Sequence, residues 1–308
     1  MSVSRLPERT EVWLPNALMA ARHLPGSQPD LPRAVYLHGL GGSSLNWYDL
    51  MVALGDHVEG WALDLGGFGD SPPPRDGDFS PAGYARSVAS FIEHLDAGPV
   101  HVFGNSLGGA VALQLAGRYP SLVRSLTMIS PALPALRPRR ATMHLPVIAI
   151  PGVGEPLVRK YTNEVSAHVR VQAMIDACFA DPARVSDDRR AAAVDETASR
   201  DHLTYGPDAL LRSLRGLLRT FVDVGPERPW RLAEQVACPT LAIYGRKDQL
   251  VDPKAAHRIT KHFCDATVVV LADCGHVAQM EHPDEVAATW LAVVGSHSRV
   301  QAPAHSLR

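Results

Sequence analysis

The chain has 308 residues, 46% of them hydrophobic and 20% charged, which suits one large α/β domain or one domain with a sizeable insertion rather than two equal domains. A formal net charge of −2 provides no long-range attraction for nucleic acid, so the expected partner is a small molecule. Cys178, Cys238, Cys264 and Cys274 lie far apart without a C-x-x-C pair, which disfavours a disulfide framework or a zinc site and fits reduced thiols in the cytoplasm.

The first residues lack a basic start followed by an apolar stretch, and no run reaches the ~18 apolar residues that span a bilayer. Neither a secretory signal nor a transmembrane segment is expected. The segments "TEVWLPN" and "ALMAARHL" read as an antiparallel beginning. From Arg33 onward, short aliphatic runs alternate with glycine-rich turns and helical patterns, the signature of a mostly parallel sheet with crossover helices. "RAVYLHGLGG", "EGWALDLGGFGDS", "PVHVFGNSLGG", "VRSLTMISPA", "PTLAIYGRKDQLV" and "ATVVVLADCGH" are the strand-and-turn units. "SPAGYARSVASFIEHLD" predicts a helix capped by Ser80 with Pro81 in its first turn, burying Tyr84, Val88, Phe91, Ile92 and Leu95.

Between residues 134 and 230 the strand rhythm stops and helical patterns take over, predicting an inserted helical unit that divides a core of residues 1–133 and 231–295. Within it, "HLPVIAIPGVG" is expected to be a buried loop or strand, with an interfacial patch near a ligand entrance as the alternative, and Met174 is expected to line an apolar pocket. Arg212, Arg215 and Arg219 form a stripe opposite Leu211, Leu214 and Leu218, expected to be a solvated helix face. Residues 296–308 are expected to be a disordered tail.

The chemistry centres on Gly104-Asn105-Ser106-Leu107-Gly108, between a strand pattern and a helix pattern. A strand running straight into a helix forces a strained turn, and small residues two before and two after its tip relieve the crowding. Such a turn projects the Ser106 hydroxyl at the carboxyl edge of the sheet, where the helix start offers free N–H groups. A serine hydroxyl needs a base, and that base needs an orienting carboxylate. His276 follows the last strand and is the expected base, ahead of His38, His101 and His282. Asp248 follows the preceding strand and is the expected carboxylate, with Asp252 as its rival and Asp273 assigned to the loop. Leu107 and Leu40 N–H are the expected oxyanion donors, with Gly39 and Gly41 letting the loop of Leu40 approach a reacting carbonyl. Cys274 and His276 have no second ligand pair beside them, so no metal is expected.

In order, "HGLGGSS", "LDLGGFGDS", "GNSLGG", "GRKDQLV" and "DCGHVAQMEHPDEV" resemble the α/β-hydrolase superfamily over roughly residues 30 to 295, the inserted unit excepted. The resemblance implies an α/β fold with a helical cap, and the order Ser106, Asp248, His276 is the family's order. Haloalkane dehalogenases and epoxide hydrolases of this fold use an aspartate nucleophile, from which Ser106 differs. The elbow with Asn105 is similar to that of hydrolases cleaving carbon–carbon bonds in aromatic ring-cleavage products, although those usually carry tryptophan where this chain has Val277. Gly39, Gly41, Asn105 and Val277 are expected to contact substrate. The implied activity is cofactor-free hydrolysis of a carboxylic ester of a hydrophobic small molecule. Carbon–carbon hydrolysis, haloperoxidase-like or thioesterase activity, and a receptor with little turnover are the alternatives.

Overall fold

The structure, a computed structural model, describes residues 9–96, 98–135 and 139–295. The expected tail at 296–308 lies outside the described residues. Strands β1 (Arg9–Trp13), β2 (Leu18–Leu24), β3 (Arg33–Leu37), β4 (Glu59–Leu63), β5 (Val100–Asn105), β6 (Val123–Ile129), β7 (Thr240–Gly245) and β8 (Ala266–Leu271) form one sheet in the order β1-β2-β4-β3-β5-β6-β7-β8. The pairs β1/β2 and β2/β4 are antiparallel and the others parallel. The expected α/β architecture with an antiparallel start is what the chain adopts.

Helices cover both faces, which is why β5 and β7 are buried at every position. Successive residues of β3 point to opposite faces. Val35 and Leu37 pack with α2 (Pro81–Leu95) and α3 (Leu107–Arg118), while Ala34 and Tyr36 pack with α1 (Tyr48–Leu54) and α12 (Pro283–Trp290). Helix α2 begins as expected: Ser80 Oγ accepts from Gly83 N–H at 3.1 Å, and Tyr84, Val88, Phe91 and Ile92 are buried.

Between β6 and β7 stand α4 (Leu145–Ile148), α5 (Gly154–Glu164), α6 (Ala167–Cys178), α7 (Asp187–Ser199), α8 (Gly206–Val222) and α9 (Pro229–Ala233). Helix α8 docks on α2, where Ser213 Oγ lies 2.7 Å from the Tyr84 hydroxyl and a Cβ on Gly216 would come within 2.8 Å of Phe79 O. One expectation fails in this region. The apolar run at 144–154 is neither buried nor a strand: it forms α4 and a turn that leave Val147 54% and Ile150 49% exposed. Met174 is 39% exposed, while α6 turns Val171 and Ile175 inward. The arginine stripe of α8 is partnered as well as solvated, with Arg212 donating to Gly77 O and Arg215 to Glu155 and Ala149 O. The remaining helices, α10 (Ala256–His262) and α11 (Ala278–Glu281), follow β7 and β8.

Register fixes where the loops emerge. Leu37 lies opposite Gly104, Asn105 opposite Ile129, Ile129 opposite Ile243, and Gly245 opposite Leu271. The segments after β3, β5, β6, β7 and β8 therefore leave along one carboxyl edge, and β3 and β5 flank the point where strand order reverses.

Candidate active site

Ser106 is the single residue between β5 and α3, and its backbone sits at φ 54° and ψ −114°. A positive φ in a non-glycine residue costs on the order of 1–3 kcal/mol and persists only where neighbours hold it. Here Ser106 N–H donates to Ile129 O at 3.1 Å, while its carbonyl accepts from Ala110 and Ala132 N–H at 3.2 and 2.9 Å. The flanking glycines are a steric requirement: a Cβ on Gly104 would lie 2.3 Å from Gly108 O, and one on Gly108 would lie 2.0 Å from Leu37 O. The start of α3 is thereby pressed against the end of β3. Ala110 makes the first i to i−4 bond, so Leu107 N–H, earlier in the helix, has no acceptor within it.

His276 and Asp248 meet at 2.9 Å, Nδ1 to Oδ2. The side chains are 5% and 0% exposed. Oδ1 of Asp248 accepts from Leu250 and Val251 N–H at 2.8 and 2.9 Å, so the carboxylate is held at both oxygens. Burial opposes its charged form, but the His276 partner and the Val251 N–H outweigh that and hold the carboxyl below its usual range. An ionised Asp248 keeps the proton on Nδ1 and leaves Nε2 free as a base. Asp252 instead accepts from Lys254 N–H at the start of a turn. Asp273 is engaged by Lys247 and Arg184, the latter at 2.6 Å.

The loop after β3 reaches the elbow: a Cβ on Gly39 would stand 3.2 Å from Ser106 Cβ. His38, read from sequence only as a less suitable base, has another task. It is wholly buried, with Nε2 accepting from Leu65 N–H at 2.9 Å and Nδ1 donating to Gly39 O at 2.7 Å. Gly42 N–H also donates to Gly39 O, at 3.1 Å. Because the peptide unit is planar, fixing the Gly39 carbonyl fixes the Leu40 N–H in the opposite direction. Burial pushes the His38 pKa down, which keeps this tautomer neutral.

Two of the expected substrate contacts are otherwise engaged. Asn105 is 4% exposed and its Nδ2 donates to Ile129 O and to His276 O, both at 3.0 Å. Val277 is 7% exposed and joins Val171, Ile175 and Phe179 in a small apolar cluster under α6. Gly41, at φ 76°, faces Leu210 of α8, whose Cδ1 is 3.8 Å from where a Cβ would be. Among the described residues no cluster of His, Cys, Asp and Glu is arranged to hold a metal ion, and no helix is long and apolar enough to cross a membrane.

Comparison with known proteins agrees with this architecture. A family model described as alpha/beta hydrolase fold matches residues 32–147 and 183–283, leaving the whole of α5 and α6 between the matched parts. The 2-hydroxy-6-oxononadienedioate/2-hydroxy-6-oxononatrienedioate hydrolase of Paraburkholderia xenovorans is 30% identical over 259 residues, 82% of each chain. The dihydrolipoyllysine-residue acetyltransferase component of the acetoin cleaving system of Pseudomonas putida is 28% identical over 85% of this chain, which spans 63% of that relative's length. Among solved structures, a membrane phospholipase A described as a bacterial virulence factor superposes with a TM-score of 0.73 at 25% identity, covering 94% of this chain and 86% of the other. Fold, register and these matches agree, and the chain belongs to the alpha/beta hydrolase fold family.

Proposed function

We propose that the chain is a serine hydrolase that cleaves a carboxylic ester of a hydrophobic small molecule through an acyl-enzyme on Ser106. The observation that carries this reading is a serine held at φ 54° between β5 and α3, on the same sheet edge as a buried His276–Asp248 pair bonded at 2.9 Å. In the first half-reaction His276 Nε2 takes the Ser106 proton as Oγ bonds to the acyl carbon. The carbonyl oxygen becomes an oxyanion received by Leu107 and Leu40 N–H. Collapse breaks the bond to the alkoxy oxygen, and His276 returns the proton to the leaving alcohol. Water, deprotonated by the same imidazole, then releases the acid and restores Ser106. Asp248 holds the imidazole throughout, and the cycle requires no metal or cofactor.

Helices α4 to α8 act in this reading as a cap that bounds the substrate site. Leu210, facing Gly41, supports an apolar lining there. The unbridged cysteines fit a reducing compartment, the cytoplasm.

A second reading is hydrolysis of a carbon–carbon bond in a vinylogous diketone. The 30% identical relative whose name describes a hydrolase of 2-hydroxy-6-oxo dienedioates favours it. The aliphatic Val277 packed beneath α6, where the resembling carbon–carbon hydrolases carry tryptophan, favours the ester. Turnover of p-nitrophenyl esters of graded length against a chromogenic ring-cleavage diketone, with Ser106→Ala as blank, separates them. Ester turnover exceeding diketone turnover supports the first reading, and the reverse order replaces it with the second.

A further inference from the structure

Five residues beyond His276 the chain buries a second carboxylate whose contacts lie in two distant segments. The Glu281 side chain is 0% exposed. Its Oε2 accepts from Gly275 N–H at 2.7 Å. Its Oε1 accepts from Ala180 and Asp181 N–H, each at 3.0 Å, and from Arg184 Nη1 at 3.1 Å. Burying a carboxylate is unfavourable unless donors replace its water. Here three of the four donors are backbone amides, one from the histidine loop and two from the segment after α6.

The adjacent contacts join the same two segments. His276 N–H donates to Cys178 O at 2.6 Å. A Cβ on Gly275 would lie 2.3 Å from that same oxygen, so the two backbones touch. Val277 completes an apolar cluster with Val171, Ile175 and Phe179. Arg184 also reaches Asp273, through its carboxylate at 2.6 Å and its carbonyl at 2.7 Å. Of the two consecutive amides at the histidine, that of His276 is thus bonded directly to the end of α6, and that of Gly275 is tied to the segment after α6 through Glu281.

We propose that Glu281 is a positioning residue for His276: its carboxylate fastens segment 178–184 to the histidine loop, so the docking of α6 sets where the imidazole stands. The chemistry is specific to a carboxylate, which accepts at both oxygens and carries no hydrogen to place. Glutamine in the same shape offers one accepting oxygen and sets an amide NH2 against a backbone N–H. Through this contact the end of the inserted unit near 178–184 moves with the catalytic histidine, while among the described residues α4 and α5 carry no such bond to the histidine loop.

The inference rests on His276 being the base, and its test separates the two ideas. The rate of fluorophosphonate labelling is measured against pH for the native chain, Glu281→Gln, and Glu285→Gln in the exposed first turn of α12. Glu281→Gln should label about 10- to 100-fold more slowly per folded molecule, with a displaced acid limb, while Glu285→Gln labels as the native chain does. Folded Glu281→Gln with the native rate and pH profile would reduce Glu281 to a structural role and overturn the proposal. Hydrogen exchange on the native chain provides a second arm that does not depend on the variant folding. The amides of Ala180, Asp181, Gly275 and His276 should exchange with one common protection, and independent exchange of the two pairs would overturn the coupling. If the native chain takes no label, it is the serine-hydrolase reading that fails, and the exchange result still decides whether the segments are coupled.

Discussion

Asn105 donates from Nδ2 to the carbonyl oxygen of His276 at 3.0 Å, so the residue before Ser106 holds the loop of His276. Its other bond from Nδ2, to Ile129 O at 3.0 Å, anchors it to the end of β6. Asn105→Ala leaves both buried carbonyls without this donor, at about 1–3 kcal/mol of stability. It should also lower kcat by more than it changes KM for a small ester, because the base is displaced and the substrate site is untouched. Steady-state kinetics beside a urea melt checks both.

The backbone of Ser106 makes opposing demands on stability and reactivity. Ser106→Gly removes the side chain that is strained at φ 54°, and should raise stability by about 1 kcal/mol while abolishing turnover. Ser106→Ala should abolish turnover without that gain, since a Cβ remains. Comparing the two melting temperatures tests whether the turn stores strain.

Glycines in the elbow should be intolerant for a local steric reason. A Cβ at Gly108 would stand 2.0 Å from Leu37 O, so Gly108→Ala should lose several kcal/mol or fail to fold, since neither backbone can give way. Nothing lies within 4 Å of a Cβ at Gly206, the first residue of α8. Gly206→Ala should be neutral or stabilising by up to about 1 kcal/mol. Thermal melts of the pair provide the contrast.

Acid should weaken the fold before it protonates most carboxylates. His38 is buried and its pKa is pushed down by desolvation, and burial together with Arg124 pushes that of His101 down to about 3. The unfolded chain protonates these rings near pH 6.5, whereas the folded chain resists, so the unfolded state binds more protons and stability falls as pH drops below that value. Each ring contributes a slope of about 1.4 kcal/mol per pH unit between its unfolded and folded pKa. The contribution of Asp248 is present above its unfolded pKa and is lost only at lower pH, as pH falls through the depressed folded value. Urea unfolding at successive pH values should show this slope, and His101→Gln should remove about half of it.

Asp248→Asn should reduce kcat by about 10⁴-fold with little change in KM, since an amide beside Nδ1 favours the wrong imidazole tautomer. The Leu250 and Val251 amides can still meet its carbonyl oxygen, so the variant should fold. Kinetics and circular dichroism of the same sample decide it.

Much of this arrangement is legible in the sequence. The strand and helix runs carried enough periodicity to place β3 to β8, and the G-x-S-x-G string fixed the elbow because only glycine fits beside carbonyls at 2.0 and 2.3 Å. Asp248 and His276 could be chosen because each follows a strand of the same edge. Side-chain direction was not legible. Asn105 and Val277 stand next to the serine and the histidine in sequence, yet their side chains turn into backbone carbonyls and an apolar cluster, since neighbours along a chain point different ways. The exposed run at 144–154 looked internal because composition records apolarity and not what covers it. Glu281 carried no local signal, as its partners at 180 and 181 lie about a hundred residues earlier in the chain.

The central claim is that Ser106 is a nucleophile activated by His276. Its most direct test is fluorophosphonate labelling of the native chain followed by peptide mass mapping. The account predicts one adduct, on Ser106, absent in Ser106→Ala and formed at least about a thousandfold more slowly in His276→Ala. A folded native chain that takes no adduct, or takes it at another residue while Ser106 stays unmodified, would contradict it.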